Sequence, residues 1–318
     1  MVWAPRLLGS NNISKIETLI PRRQCLSNNH IPSINSLSSS VQPSFSLFPF
    51  LPFLTITMDI STQISPFDCI IFDLDDTLYP TSTGIGNFVK KNIEMFLIEK
   101  CGFSETKASI LRVELFKTYG STLAGLRALG YDISAEDYHG FVHGRLPYEL
   151  IKPDAHLRNL LRTIKQRKII FTNSDRIHAL RVLDRLGIKD CFEQILCFET
   201  MNPNLPNSTR PDEFPVLLKP SLDAVKIALH AANVDPRRTL FLDDSTRNVA
   251  AGKEVGLHTV LVGKTVKSKE ADYAVECVNH VAQVIPEIWA NEMNGDDQRI
   301  TRSKSELEAV LATATVGA

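Results

Sequence analysis

Four short segments place acids, hydroxyls or a lysine where a reaction could use them. Asp73-Leu74-Asp75-Asp76-Thr77 closes the apolar run Cys69–Leu74. Thr172-Asn173-Ser174-Asp175 ends the run Lys168–Thr172, and Asp243-Asp244-Ser245 follows Thr239–Leu242. Lys219-Pro220 stands just before Ser221. Carboxylates brought together this way repel one another and drift toward protonation unless a cation is present. An all-oxygen donor set suits a hard ion, and Mg²⁺ takes one or two carboxylates, waters and a substrate phosphate. The metal candidates are Asp73, Asp243 and Asp244, with Asp75 contributing through its backbone carbonyl. Mg²⁺ and Lys219 together would favour an anionic substrate such as a phosphate monoester.

Phosphoryl transfer needs an in-line nucleophile, a proton donor for the leaving oxygen and charge neutralisation. Asp73, at the strand end, is the expected nucleophile, and it would form an aspartyl-phosphate. Asp75, two residues on, is the expected general acid and then the base for water. Thr172, Asn173 and Lys219 are read as phosphate-binding.

These residues are useful only if their segments converge. The apolar runs Cys69–Leu74, Lys168–Thr172, Gln194–Cys197, Thr239–Leu242 and His258–Val262 read as buried strands. Helical patterns at Ala155–Arg167, Arg176–Leu186, Ser221–Ala232, Arg247–Val255 and Val281–Ala290 separate or follow them. Strands alternating with helices imply a parallel sheet covered on both faces, which binds ligands at the carboxyl ends of its strands. The alternation breaks between Thr81 and Pro153, where Asn87–Lys100, Glu105–Thr118 and Ala135–His143 have helical periodicity. The expected fold is α/β: a doubly wound parallel sheet (residues 66–80 and 154–290) with an inserted helical cap domain (81–153). In that cap, Tyr119, His143 and Tyr148 are the candidate substrate-binding residues.

Length and composition narrow the function classes. The 318 residues are 43% hydrophobic and 22% charged, with a formal charge of −1. A chain of this size buries a core without disulfide or metal staples, and its charge balance supplies no broad basic surface that would favour nucleic acid. No stretch approaches the ~20 apolar residues of a membrane span. The six cysteines form no Cys-x-x-Cys pair and read as reduced thiols. Residues 1–57 hold ten Ser and six Pro but a single acid, Glu17. That leader, taken to run to residue 65, reads either as an organelle transit peptide or as a non-functional extension before Met58. The location follows from that choice: plastid or mitochondrion in the first case, cytoplasm in the second. The tail 291–318 is polar and read as disordered.

The motifs FDLDDTLYP (Phe72–Pro80), TNS (Thr172–Ser174), LKP (Leu218–Pro220) and FLDDSTRNVAAG (Phe241–Gly252) resemble, in order, the four motifs of the haloacid-dehalogenase (HAD) superfamily. The resemblance implies a Rossmannoid core, Mg²⁺, and the roles already given to Asp73, Asp75, Thr172, Lys219, Asp243 and Asp244. The separation of 97 residues from Asp75 to Thr172 suits that superfamily's cap inserted after the first motif. More narrowly, YGSTLAGL (Tyr119–Leu126) and YHGFVHGRLPY (Tyr138–Tyr148) resemble the pyrimidine 5′-nucleotidase-like branch, which implies a nucleoside 5′-monophosphate as the small phosphorylated partner. Two alternatives stand beside it: a phosphatase for a sugar phosphate or pyridoxal phosphate, and a catalytically silent binding protein. A phosphomutase would share the motifs. A dehalogenase fits less well, because Asp75 suits an oxygen leaving group.

Overall fold

The structure, a computed structural model, describes residues 64–205, 215–266 and 268–290. The readings of 1–65 and 291–318 therefore lie almost wholly outside the described residues.

Six parallel strands form one sheet: β1 (Cys69–Phe72), β2 (Arg167–Phe171), β3 (Gln194–Leu196), β4 (Thr239–Asp243), β5 (His258–Val262) and β6 (Tyr273–Val275), in the order β3-β2-β1-β4-β5-β6. β1 is buried along its whole length, as a central parallel strand must be. Its side chains alternate between the two faces. Ile70 and Phe72 join Ile170, Leu240, Leu242 and Val260 on one face, where helices α5 (Ala155–Thr163) and α6 (Arg176–Leu186) add Leu157, Leu161, Val182 and Leu183. Cys69 and Ile71 join Ile169, Phe171 and Phe241 on the other, against Ala224, Val225 and Ala228 of α8 (Leu222–Ala232) and Ala251 of α9 (Thr246–Glu254). A short α7 (Phe198–Met201) follows β3.

Four helices stand between β1 and α5: α1 (Ile85–Glu99), α2 (Glu105–Tyr119), α3 (Thr122–Ala128) and α4 (Ala135–Val142). α1 packs on α2 and α4, and α2 packs on α3. Their apolar cluster, with Phe96, Leu115, Leu123, Leu126 and Phe141, continues into Phe198 and Leu218 from beyond the strand ends. Gly125 is what lets α3 close on α2: a Cβ there would lie 2.7 Å from Leu115 Cδ2 and 2.9 Å from Tyr119 Cδ2.

Several details differ from the sequence reading. β6, α3 and α7 are additional elements. The expected last helix, Val281–Ala290, is a short α10 (Val281–Val284) followed by a 3₁₀ turn, Pro286–Trp289. Pro286 lacks the amide hydrogen that would continue the helix. In the segment from 202 to 217, of which 206–214 lie outside the described residues, the Asn202 side chain holds Leu217 at both its amide and carbonyl (2.7 and 2.9 Å). No helix among the described residues is long and apolar enough to cross a membrane.

Candidate active site

The strand order changes direction between β1 and β4. Chain segments leave their carboxyl ends toward opposite sides there, which opens a crevice. Asp73 continues β1 into that crevice: its amide donates to Leu242 O (2.8 Å), so it lies beside Asp243 at the end of β4. Lys219 Nζ reaches both acids, 2.6 Å from Asp73 Oδ1 and 2.8 Å from Asp243 Oδ2. Its third proton goes to Phe171 O of β2 (2.7 Å). One ammonium thus ties together the ends of three strands.

Local bonds fix the acids. Thr77 Oγ1 donates to Asp73 Oδ2 (2.9 Å) and accepts from the Asp244 amide (3.2 Å), which joins the two loops. Asn248 Nδ2 donates to both Asp243 oxygens (2.9 and 3.1 Å), and the Ser245 amide donates to Oδ1 (2.9 Å). Oxygens of Asp73, Asp243 and Asp244 lie within 4.8 Å of one another. Burial pushes the Asp73 carboxyl well up, against the pull of Lys219. Burial likewise pushes Asp244 up to about 6, with Asp243 and Asp76 adding to the push. Burial would lower the Lys219 pKa, but Asp243 and Asp73 outweigh it and hold the ammonium charged. Such a crowded, all-oxygen set fits a hard divalent cation.

Asp75 faces elsewhere. Its Oδ1 accepts from Tyr79 Oη (2.7 Å) and His178 Nε2 (2.8 Å), and its Oδ2 accepts from Ser174 Oγ (2.7 Å). Burial alone would raise its carboxyl; His178, Tyr79 and Ser174 outweigh that and hold it below the usual carboxylate range. Its side chain keeps 34% of its surface open, against 9% for Asp73, so a ligand can reach it. Asp76 follows in the left-handed region (φ 59°), and its side chain approaches the start of α1, where a Cβ on Gly86 would lie 3.5 Å from its Oδ2.

The remaining sequence-chosen residues fall into place less simply. Thr172 is buried at the end of β2, and its Oγ1 accepts from the Ser174 amide (3.1 Å). The Asn173 side chain pairs with the Lys219 backbone at both N and O (2.9 and 3.0 Å). Its amide group therefore positions the lysine, and only its backbone remains for a phosphate. Tyr119 packs in the apolar cluster of the inserted helices. His143 Nδ1 bonds the carboxylate of Asp175, the N-cap of α6. Tyr148 Oη bonds His178 Nδ1 (2.8 Å). His143 and Tyr148 thus spend their polar groups on the protein. Burial lowers the His143 pKa below the usual imidazole value despite Asp175.

His178 is the functional candidate that sequence reasoning missed. It lies one helical turn past Asp175, whose Oδ2 accepts from its backbone amide (3.2 Å). The available signal was a histidine in the first turn of the helix that follows the Thr172-Asn173-Ser174 segment.

The family model described as haloacid dehalogenase-like hydrolase matches residues 67–256. Phosphate metabolism protein 8 of Saccharomyces cerevisiae is 29% identical over 199 residues, covering 60% of each chain. The chain thus spans about three fifths of that relative's length. Among solved structures, a HAD phosphatase from Thermococcus onnurineus aligns with a TM-score of 0.47 at 16% identity, over 68% of this chain and 97% of that one. CbbY from Rhodobacter sphaeroides, solved in complex with phosphate, aligns with a TM-score of 0.46 at 18% identity, over 68% and 96%. With the family motifs gathered on one crevice and the family model covering more than half of its length, this chain belongs to the haloacid dehalogenase-like hydrolases.

Proposed function

We propose that the chain is a Mg²⁺-dependent phosphatase that hydrolyses a small phosphate monoester through an aspartyl-phosphate. The observation that carries this reading is the division of labour between two acids from one loop. Asp73 is held against Lys219 and Asp243, whereas Asp75 is turned to Ser174 and His178 and open to a ligand. An Asp73 oxygen attacks phosphorus, the P–O ester bond breaks, and Asp75, which takes up a proton as the anionic substrate enters beside it, gives that proton to the departing oxygen. Asp75 then takes a proton from water, whose oxygen attacks the aspartyl-phosphate and frees phosphate and Asp73. Lys219 and Thr172 hold phosphoryl oxygens. Asp73, Asp243, Asp244 and the Asp75 carbonyl would hold Mg²⁺, which neutralises phosphoryl charge when bound. The inserted helices act as a cap that excludes water and selects the substrate.

The preferred substrate is a nucleoside 5′-monophosphate, pyrimidine first, supported by the likeness of Tyr119–Leu126 and Tyr138–Tyr148 to the nucleotidase-like branch. One observation favours a second reading, a sugar phosphate: His143 and Tyr148 are bonded to α6 rather than free to meet a base. The test is phosphate release, with and without Mg²⁺, from UMP, CMP, AMP, GMP, pyridoxal phosphate and sugar phosphates, with Asp73→Asn as control. Release from UMP and CMP that needs Mg²⁺ and Asp73 supports the nucleotide reading. Release from another ester keeps the chemistry and replaces the substrate. No release from any of them refutes the phosphatase reading.

A further inference from the structure

We propose that His178 is a positioning residue for the acid–base group: its Nε2–H···Oδ1 bond fixes the Asp75 carboxylate against the core. The proposal rests on the phosphatase reading above.

Each Asp75 oxygen has one bond from outside its own loop, Ser174 on Oδ2 and His178 on Oδ1. The third donor, Tyr79, sits four residues on in the same chain segment and moves with Asp75. Without His178, the carboxylate pivots about its bond to Ser174. An acid that must meet a departing oxygen and then a water loses rate when its geometry loosens.

His178 is itself built in. Its side chain is 1% exposed. A carboxylate can only accept, so Nε2 carries the proton shared with Asp75. Nδ1 meets Tyr148 Oη at 2.8 Å, which fixes the other edge of the ring. Tyr148 lies on the segment returning from the inserted helices, and Arg185 of α6 anchors that segment at Tyr148 O (3.0 Å) and Ile151 O (3.3 Å). The His143 ring covers one side of His178 with centroids 4.4 Å apart, and the His139 ring stacks on His143 at 5.5 Å. The imidazole has no room to turn away from Asp75.

The test separates position from mere stability by the leaving group. An alkyl phosphate needs Asp75 to protonate its alkoxide, whereas the phenolate of p-nitrophenyl phosphate departs without a proton. Glutamine carries its amide nitrogen as many bonds from Cα as Nε2, and asparagine as many as Nδ1. His178→Gln therefore keeps a donor toward Asp75, and His178→Asn keeps only the side facing Tyr148. The full chain with Mg²⁺ is assayed on p-nitrophenyl phosphate and on the best alkyl ester among UMP, glycerol phosphate and glucose 6-phosphate. His178→Asn is expected to lose about 10- to 100-fold in kcat on the alkyl ester, the size of a hydrogen bond to a charged group. Its KM changes little, its loss on p-nitrophenyl phosphate is much smaller, and His178→Gln recovers most of the rate. Equal losses on both esters, or Asn and Gln variants that behave alike, overturn the role of His178. A wild-type chain that releases phosphate from no ester overturns the phosphatase reading, and this proposal with it.

Discussion

Replacing Lys219 with methionine removes the one cation between two buried acids while keeping most of the side-chain volume. At an effective dielectric constant of about 20, charges at 2.6 and 2.8 Å attract by about 6 kcal/mol each. Desolvating the ammonium offsets several kcal/mol of that. What remains after the substitution is the repulsion of two carboxylates, with Asp73 9% and Asp243 0% exposed. Breaking a buried pair in this way costs about 3–5 kcal/mol. The loss should depend on pH. Burial already raises the Asp73 carboxyl above its ordinary 3.8, and without Lys219 the main opposition to that push is gone. Between 3.8 and the raised value, the folded variant keeps a proton that the unfolded chain has released, so its stability rises as pH falls. Urea unfolding of both proteins in EDTA, at pH 8 and pH 5.5, measures this. The expected deficit is about 3–5 kcal/mol at pH 8 and smaller at pH 5.5. A deficit below about 1 kcal/mol at pH 8, the scale of an exposed pair, or one that grows on acidification, would refute the electrostatic account of Lys219.

Further outcomes can be checked alongside. His139 is buried and neutral, its pKa lowered to about 3 by burial and by His143. The unfolded imidazole takes a proton below about 6.5, so stability falls as pH drops through that window. By pH 4.5 the loss from this group is about 2.7 kcal/mol, and His139→Phe should remove that part of the slope in urea titrations at pH 7 and 4.5. Gly125→Ala should destabilise by about 1–3 kcal/mol, because its Cβ meets Leu115 at 2.7 Å; a thermal melt reads the shift. Mg²⁺ should raise the melting temperature of the wild type in a concentration-dependent way. Asp244→Asn should shift that dependence to higher Mg²⁺, and an unchanged titration would remove Asp244 from the donor set.

Three of the chemistry-bearing loops were legible because each closes a run of buried β-formers, and a strand end fixes where the next residue points. Asp73, Thr172 and Asp243 stand at or beside such ends, whereas Lys219 was legible as a lone cation in the segment just before α8. β6 escaped notice because Tyr273–Val275 is three residues long and pairs only with β5 at the sheet edge. α3 escaped for the opposite reason: six of its seven residues are buried, so it shows no polar face and no amphipathic period. The bonding partners of His143 and Tyr148 were not legible at all. Spacing shows that aromatic and imidazole groups are present in the insert, but their partners, Asp175 and His178, lie 32 and 30 residues away and are set by packing. The bond from His178 to Asp75 spans 103 residues and had no local signature beyond the helix turn that carries it.

The four inserted helices interrupt the chain between two strands that are immediate neighbours, with Phe72 in register with Ile170. An excursion from a sheet and back costs little more as it lengthens, about 0.6 kcal/mol for each doubling. The paired strands on either side keep their register whatever the excursion contains. A lineage could therefore lengthen, trim or exchange this segment while Asp73, Lys219 and Asp243 stay bonded as they are. Asp75 is the exception, since the returning segment reaches it through Tyr148 and His178. Any replacement insert would have to supply an equivalent hydrogen bond at that point, so the graft junction there is less free than the rest of the segment.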